Sequence, residues 1–117
     1  METINFSYNW NNKLNNKAFT TLRLHNPHKY KQGERYRIEN SGQLRGIAVL
    51  KEIRTFTLAS LNNFITFLDT GYNVSETKEL LQRMYKAKSI DWNVQKLDFC
   101  LLVYEKQDST IQAGIKF

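Results

Sequence analysis

Two histidines, His25 and His28, flank Asn26 and Pro27, and imidazoles this close together are the first place to look for a metal. A zinc site needs three or four ligands, and nothing near this pair supplies the rest, so the two read as surface residues or phosphate contacts. Cys100, the only cysteine, lies within the apolar run LDFCLLVY. That setting makes it a buried structural thiol rather than a nucleophile, and it leaves no partner for an internal disulfide. No Ser-His-Asp or Cys-His spacing is interpretable, and no glycine-rich loop precedes a helix, so P-loop nucleotide hydrolysis has no support. No metal or cofactor is implied. Cations and aromatic rings remain. Arg35 and Arg37 project from one strand face, and a planar guanidinium grips phosphate bidentately. Tyr8, Trp10 and Tyr30 could stack on bases, although rings of this number in so small a domain commonly serve as core or rim. Trp92 reads as packing.

The distribution of charge supports a phosphate-facing surface. The chain carries 17 basic and 11 acidic residues, a net of +6. Residues 13 to 54 hold ten of the basic side chains and only three acidic ones, whereas residues 55 to 117 hold seven of each. Clustered cations gain from counterion release on meeting a polyanion, so RNA or a nucleotide is the partner such a segment suggests. The plain alternative is a solvated basic face. At 117 residues and 13.8 kDa, with 41% hydrophobic residues, the chain is one domain with material for a core. No apolar run approaches the ~20 residues of a membrane span, and the opening METINFSYNWNN has neither the basic lead nor the apolar stretch of a signal peptide. The expectation is a cytoplasmic protein without a membrane partner.

The elements that must position these groups follow from periodicity. INFSY alternates as a half-buried strand, and NWNNKLNNK reads as a turn or short helical segment. FTTLRL is a strand with Thr20, Leu22 and Leu24 on one side and Phe19, Thr21 and Arg23 on the other. HNPHKYKQGE is loop, ERYRIE a third strand, and the unbroken run GIAVLKEI a strand buried on both faces. Leu58, Leu61, Phe64, Ile65 and Leu68 then recur at helical spacing after a Thr57 cap, and Gly71 stops that helix. Asn73 or Ser75 caps a second helix burying Leu80, Leu81, Met84 and Tyr85. KLDFCLLVYEK closes the sheet, and Ile111, Ala113 and Ile115 are consistent with a short terminal strand. Taken alone, Thr20 and Thr21 are good strand formers, and Asp69 beside Thr70 and Gly71 is a helix-ending turn residue.

NNKAFTTLRL followed by KYKQGERYRIE resembles the signature of ASCH domains, small PUA-like barrels with a Gly-x-Lys-x-x-Thr-x-Arg motif ahead of a Tyr-x-x-Gly-Asp turn and strand. Anchored on Arg23, the motif threonine falls on Thr21, the lysine position on Ala18 and the glycine position on Asn16. The nearest lysine sits one residue early, at Lys17. Tyr30, Gly33 and Glu34 match the turn, with glutamate in place of aspartate. FLDTGY and a helix ending MYK resemble the family's acidic loop and tyrosine-ended helix, so the similarity of order covers most of residues 4 to 104.

The resemblance implies a cleft that binds RNA or a modified nucleoside. Some small bacterial members are amidohydrolases that deacetylate the exocyclic amine of cytidine, using a lysine, a threonine and a glutamate. Carried over, Thr21 is nucleophile or activator of water, Lys17 the displaced lysine and Asp69 the acid, with Arg23 gripping a phosphate or base edge. A threonine hydroxyl needs a neighbouring base, so the lysine's shift threatens catalysis more than binding. The expected fold is α+β: a PUA-like, mixed, mostly antiparallel β-barrel over residues 1–117, with two helices in its second half. The expected function is RNA or nucleotide binding between the basic strands and the Asp69 loop. Deacetylation of 4-acetylcytidine is the alternative, and a protein-interaction module using the basic face is a third. Catalysis by Lys17 requires a bend over Asn15 to Ala18, since an extended chain leaves it about 13 Å from Thr21.

Overall fold

The computed structural model describes residues 1–105, so the expected terminal strand through Ile111 lies outside the described residues. Five strands form one sheet: β1 (Thr3–Phe6), β2 (Ala18–Leu24), β3 (Arg35–Asn40), β4 (Gln43–Thr57) and β5 (Lys96–Tyr104). Two α-helices, α1 (Asn63–Thr70) and α2 (Val74–Met84), lie between β4 and β5 in the chain. Short 3-10 segments cover Trp10–Asn15 and Leu58–Ser60. The strand order is β1-β3-β4-β5-β2, with β1 parallel to β3 and the other three pairs antiparallel. This is an α+β fold whose sheet curls into a half-barrel.

The curl has a local cause. The long β4 contains two register shifts, one passing over Arg45 opposite Ile38 and Glu39 and one over Lys51 opposite Leu101 and Leu102. Each extra residue sharpens the strand's bend and twist. The two edge strands consequently approach each other: Phe6 of β1 meets Phe19 of β2 edge-to-face, with ring centroids 5.9 Å apart. Inside the curl, Ile4, Phe6, Phe19, Tyr36, Ile38, Ala48, Leu50, Cys100 and Leu102 form one core. A second core lies on the other face of β2 and β5, where Leu22 and Leu97 pack with Leu58, Leu61, Ile65 and Leu81. Strand alternation across β2 and β5 separates the two cores, as the pattern of FTTLRL requires.

Three expectations need correction, at β4, at the start of α1 and along the buried stripe of α2. GIAVLKEI is not buried on both faces: only Ala48 and Leu50 are fully buried, and intervening residues are half-buried or exposed. Its unbroken apolar run hides an ordinary one-faced strand. The periodic stretch from Leu58 is not one helix capped by Thr57 either. A 3-10 turn ends at Ser60, and α1 starts at Asn63, capped by Asn62, whose side chain accepts from the Ile65 N–H at 3.0 Å. This restart rotates the helix, so Phe64 and Leu68 face outward while Ile65 and Asp69 face inward. Gly71 does end α1, in the left-handed conformation at φ +83°. Asn73 caps α2 in a reciprocal box with Glu76, which satisfies two otherwise orphaned N–H groups. Along α2, Leu81 is buried, Leu80 and Tyr85 half-buried and Met84 exposed.

Candidate functional site

A cleft of about 250 Å³ opens where β1, the Trp10–Asn15 turn, β2 and the two helices meet. Its lining includes Lys13, Thr21, Arg23 and Asp69, with Tyr8 and Trp10 contributing aromatic surface. Each polar group has a traceable origin. Thr21 and Arg23 project from the same side of β2 by alternation, and the Arg23 Nε donates to Thr21 Oγ1 at 2.9 Å. Asp69 stands on the last turn of α1, directed inward by the helix start at Asn62. Lys13 arrives from the 3-10 segment, where Asn11 and Asn12 adopt positive φ of 57° and 53°. Asparagine tolerates this left-handed conformation better than most residues, and the two together turn the chain so that Lys13 and Leu14 are buried.

Lys13 and Asp69 form a buried ion pair. The ammonium donates to Asp69 Oδ1 at 3.0 Å, and the Thr20 hydroxyl donates to the same oxygen at 2.8 Å. Only 6% and 4% of the Lys13 and Asp69 side chains are exposed. Burial pushes the Lys13 ammonium below the ordinary lysine range; Asp69 pulls it back up through charge and hydrogen bond, and the Arg23 charge lowers it further. Lys13 also lies 5.5 Å from the Phe6 ring centre, and the Arg23 guanidinium stacks on the same ring at 4.5 Å. Among the described residues Arg23 makes no ion pair within 4.0 Å, so its fork remains available to a ligand oxygen. At the mouth, Tyr8, Trp10 and Tyr72 form a ladder of rings with centroids 4.6 and 5.8 Å apart.

Of the expected site residues, Thr21, Arg23 and Asp69 come together in this cleft. Lys17 does not join them. It is exposed, and its carbonyl accepts from the Tyr104 N–H at 2.9 Å, extending the pairing of β2 with β5. The bend that catalysis by Lys17 would need falls earlier, at Asn11 and Asn12, and it delivers Lys13 instead. Tyr30 belongs to the inner core rather than to a binding surface; burial pushes its hydroxyl up to about 12, against the lowering effect of nearby Arg23. Arg35 and Arg37 are also elsewhere. On β3 both side chains are exposed on the face opposite Tyr36 and Ile38. Arg35 pairs through two nitrogens with Glu105, and Arg37 lies 3.7 Å from Glu39.

Lys13 is the member that sequence reasoning missed, because a lysine among asparagines in a polar segment reads as a solvated side chain. The available signal was Trp10 and Leu14 at a spacing of four, which marks that segment as ordered. A second buried carboxylate also went unread. Asp98, opposite Arg23 in register, is fully buried and bonded to His25 Nδ1 at 2.7 Å, the Asn26 N–H at 2.9 Å and the Thr55 hydroxyl at 3.0 Å. This arrangement ties down the start of the 25–34 loop. His28 lines a different groove, beside Lys29 and Lys31, and no group of three potential metal ligands occurs among the described residues. No helix among the described residues is long and apolar enough to cross a membrane. No family model, curated protein or solved structure matches this chain.

Proposed function

We propose that the cleft hydrolyses an amide on a planar, nucleoside-sized ligand, as its resemblance to PUA-like ASCH domains that deacetylate 4-acetylcytidine suggests. One observation carries the reading: a buried lysine, a carboxylate, a threonine hydroxyl and an arginine converge on a single cavity. The resemblance calls for a lysine, and Lys13 supplies the amine that Lys17 is too far out of place to provide. The cavity is smaller than the ~300–1,000 Å³ of drug-sized ligand sites, which suits one ring system better than a run of nucleotides.

The chemistry follows from the positions. Burial lowers the proton affinity of Lys13 against the opposing pull of Asp69, and the neutral amine is the form that takes a proton from an attacking water. Thr21 Oγ1, already accepting from Arg23, orients that water rather than attacking itself. The water oxygen adds to the amide carbonyl carbon, and its proton passes to Lys13 Nζ. The Arg23 fork stabilises the developing oxyanion. Collapse breaks the carbon–nitrogen bond, Lys13 returns the proton to the leaving amine, and a carboxylic acid and a free amine result. Asp69 holds Lys13 in place and Tyr8 and Trp10 offer the ring a stacking surface.

RNA or nucleotide binding is the reading that the basic segment suggests, and it needs a surface other than one joining Arg23 to Arg35 and Arg37. The experiment is incubation of the pure protein with 4-acetylcytidine and chromatographic detection of cytidine, with binding of single-stranded RNA measured in parallel at two salt concentrations. Release of cytidine that is lost in a Lys13→Ala variant whose circular dichroism spectrum shows it folded, and retained in Lys17→Ala, supports the hydrolase. No release by the wild type, or turnover that survives Lys13→Ala, overturns it. Salt-dependent RNA binding without turnover would leave the nucleic-acid reading in its place.

A further inference from the structure

The outer side of α1 is unusually apolar for an exposed helix. Phe64, Phe67 and Leu68 are 77%, 50% and 58% exposed, and their spacing of three and four places them on one stripe. Beside Phe64 runs a groove between the helix and the outer face of the sheet, with Ile65, Phe56, Phe99 and Leu101 in its walls. A large protruding ring next to an apolar groove that it helps to line is a self-complementary shape. Rotated by a two-fold axis, the ring of one copy enters the groove of the other while its own groove receives the partner's ring.

Charge selects the same occupant. The chain is +6 overall, so two copies repel across most of their surfaces. α1 carries no cation, and its one acid, Asp69, is turned inward to Lys13. The groove is bordered by one carboxylate and one guanidinium, Glu52 and Arg54, which are 59% and 68% exposed and 3.6 Å apart. A neutral border of this kind permits close approach of a second copy, and a two-fold axis that passes between Glu52 and Arg54 sets each residue toward its opposite charge on the other copy. An acidic or a basic partner protein would find no net opposite charge there. We propose that the α1 stripe and its groove form the interface of a two-fold symmetric homodimer of this chain.

Sedimentation of the full chain over a concentration series from about 1 to 500 μM tests the assignment. The expected result is a monomer–dimer equilibrium whose dissociation constant rises at least about thirtyfold in Phe64→Asp, as removal of a central aromatic anchor does. Because Phe64 is solvent-exposed, this variant leaves the monomer folded, which its circular dichroism spectrum checks. The pair of reversals Glu52→Arg and Arg54→Glu distinguishes the two-fold contact from a general apolar stickiness. Each alone weakens the dimer, and both together restore it. A wild type that remains monomeric at 500 μM overturns the proposal. So does a dimer indifferent to Phe64→Asp, or one that both single reversals leave unchanged. Protection of α1 amides in a monomer, lost on truncation after Glu105, would assign the stripe to the chain's own terminus and would equally overturn it.

Discussion

The cleft wall and the outer face of β3 both hold ion pairs, but the two kinds stand in opposite relation to water. Lys13 and Asp69 are almost fully enclosed, and Asp69 takes an extra hydrogen bond from Thr20. Arg35 and Glu105 keep 54% and 35% of their side chains in solvent, and the Arg37–Glu39 pair is longer and also partly exposed. A buried pair holds two charges away from water, so loss of either partner strands the other. An exposed pair is screened, and either partner alone is well hydrated. The sequence segment with the greatest positive excess therefore does not mark the site by its charge density. Most of its cations are ordinary surface groups, and the one that organises the cleft is the one hidden from solvent.

The largest expected effect separates the two regions directly. Asp69→Ala should destabilise the protein by about 3–5 kcal/mol in urea unfolding, because Lys13 is left buried without its partner. Replacing both, as Lys13→Met with Asp69→Leu, should recover most of that loss. A double variant as unstable as Asp69→Ala would mean that the pair's worth lies in more than compensating its own burial.

Alkaline titration gives a second test, on the inner core. Burial raises the Cys100 thiol from 9.0 to about 12, with Asp98 acting in the same direction and Arg23 against it. The unfolded chain then loses this proton at lower pH than the folded one. Stability contributed by the neutral thiol is complete below pH 9 and declines as pH rises from 9 toward 12, by up to about 1.4 kcal/mol per pH unit. Tyr30, raised from 10.0 to about 12, adds a decline that begins near pH 10. Lys13 works the other way: its lowered value means the folded state holds fewer protons than the unfolded one, so its cost is relieved as pH climbs toward 10.5. Cys100→Ala should shallow the decline between pH 9 and 10, where Tyr30 contributes least, and an unchanged slope there would exclude the thiol as its source. In native protein at pH 8, the same thiol should resist a disulfide reagent that labels it promptly in urea.

A smaller effect is expected at Asn62→Ala. Loss of the side-chain acceptor for the Ile65 N–H should cost about 1 kcal/mol, and replacement by Ser should preserve most of the stability. The smallest belongs to the outer face. Arg35→Ala and Glu105→Gln should leave the urea midpoint unchanged within error, and a clear shift in either would show that the exposed pair is coupled to the core after all.

Much of the architecture was legible from local chemistry. β2 follows from the alternation in FTTLRL, α2 from its apolar spacing behind the two cap candidates Asn73 and Ser75, and the end of α1 from Gly71, since each depends on residues a few positions apart. The helix at Leu58 was misread because periodicity registers apolar spacing without the backbone phase, and the 3-10 turn changed that phase before Asn62 restarted the helix. Thr21 and Arg23 were placed on one face for the same local reason. Their meeting with Asp69, nearly fifty positions away, was not available to periodicity and was suggested only by the family resemblance.

Amino-acid order by itself determined the two faces of β2, the stop at Gly71 and the inward Cys100, because backbone geometry and side-chain alternation act over a few residues. Tertiary structure alone decided which lysine enters the cleft and which arginines stay outside. The left-handed turn at Asn11 and Asn12 buries Lys13 only because β1 and β2 close on each other across the curled sheet, with α1 carrying Asp69 to the same point. Arg35 and Arg37 lie on the far side of that curl. A cation's environment is set by the chain segments packed around it, and those segments come from all along the sequence.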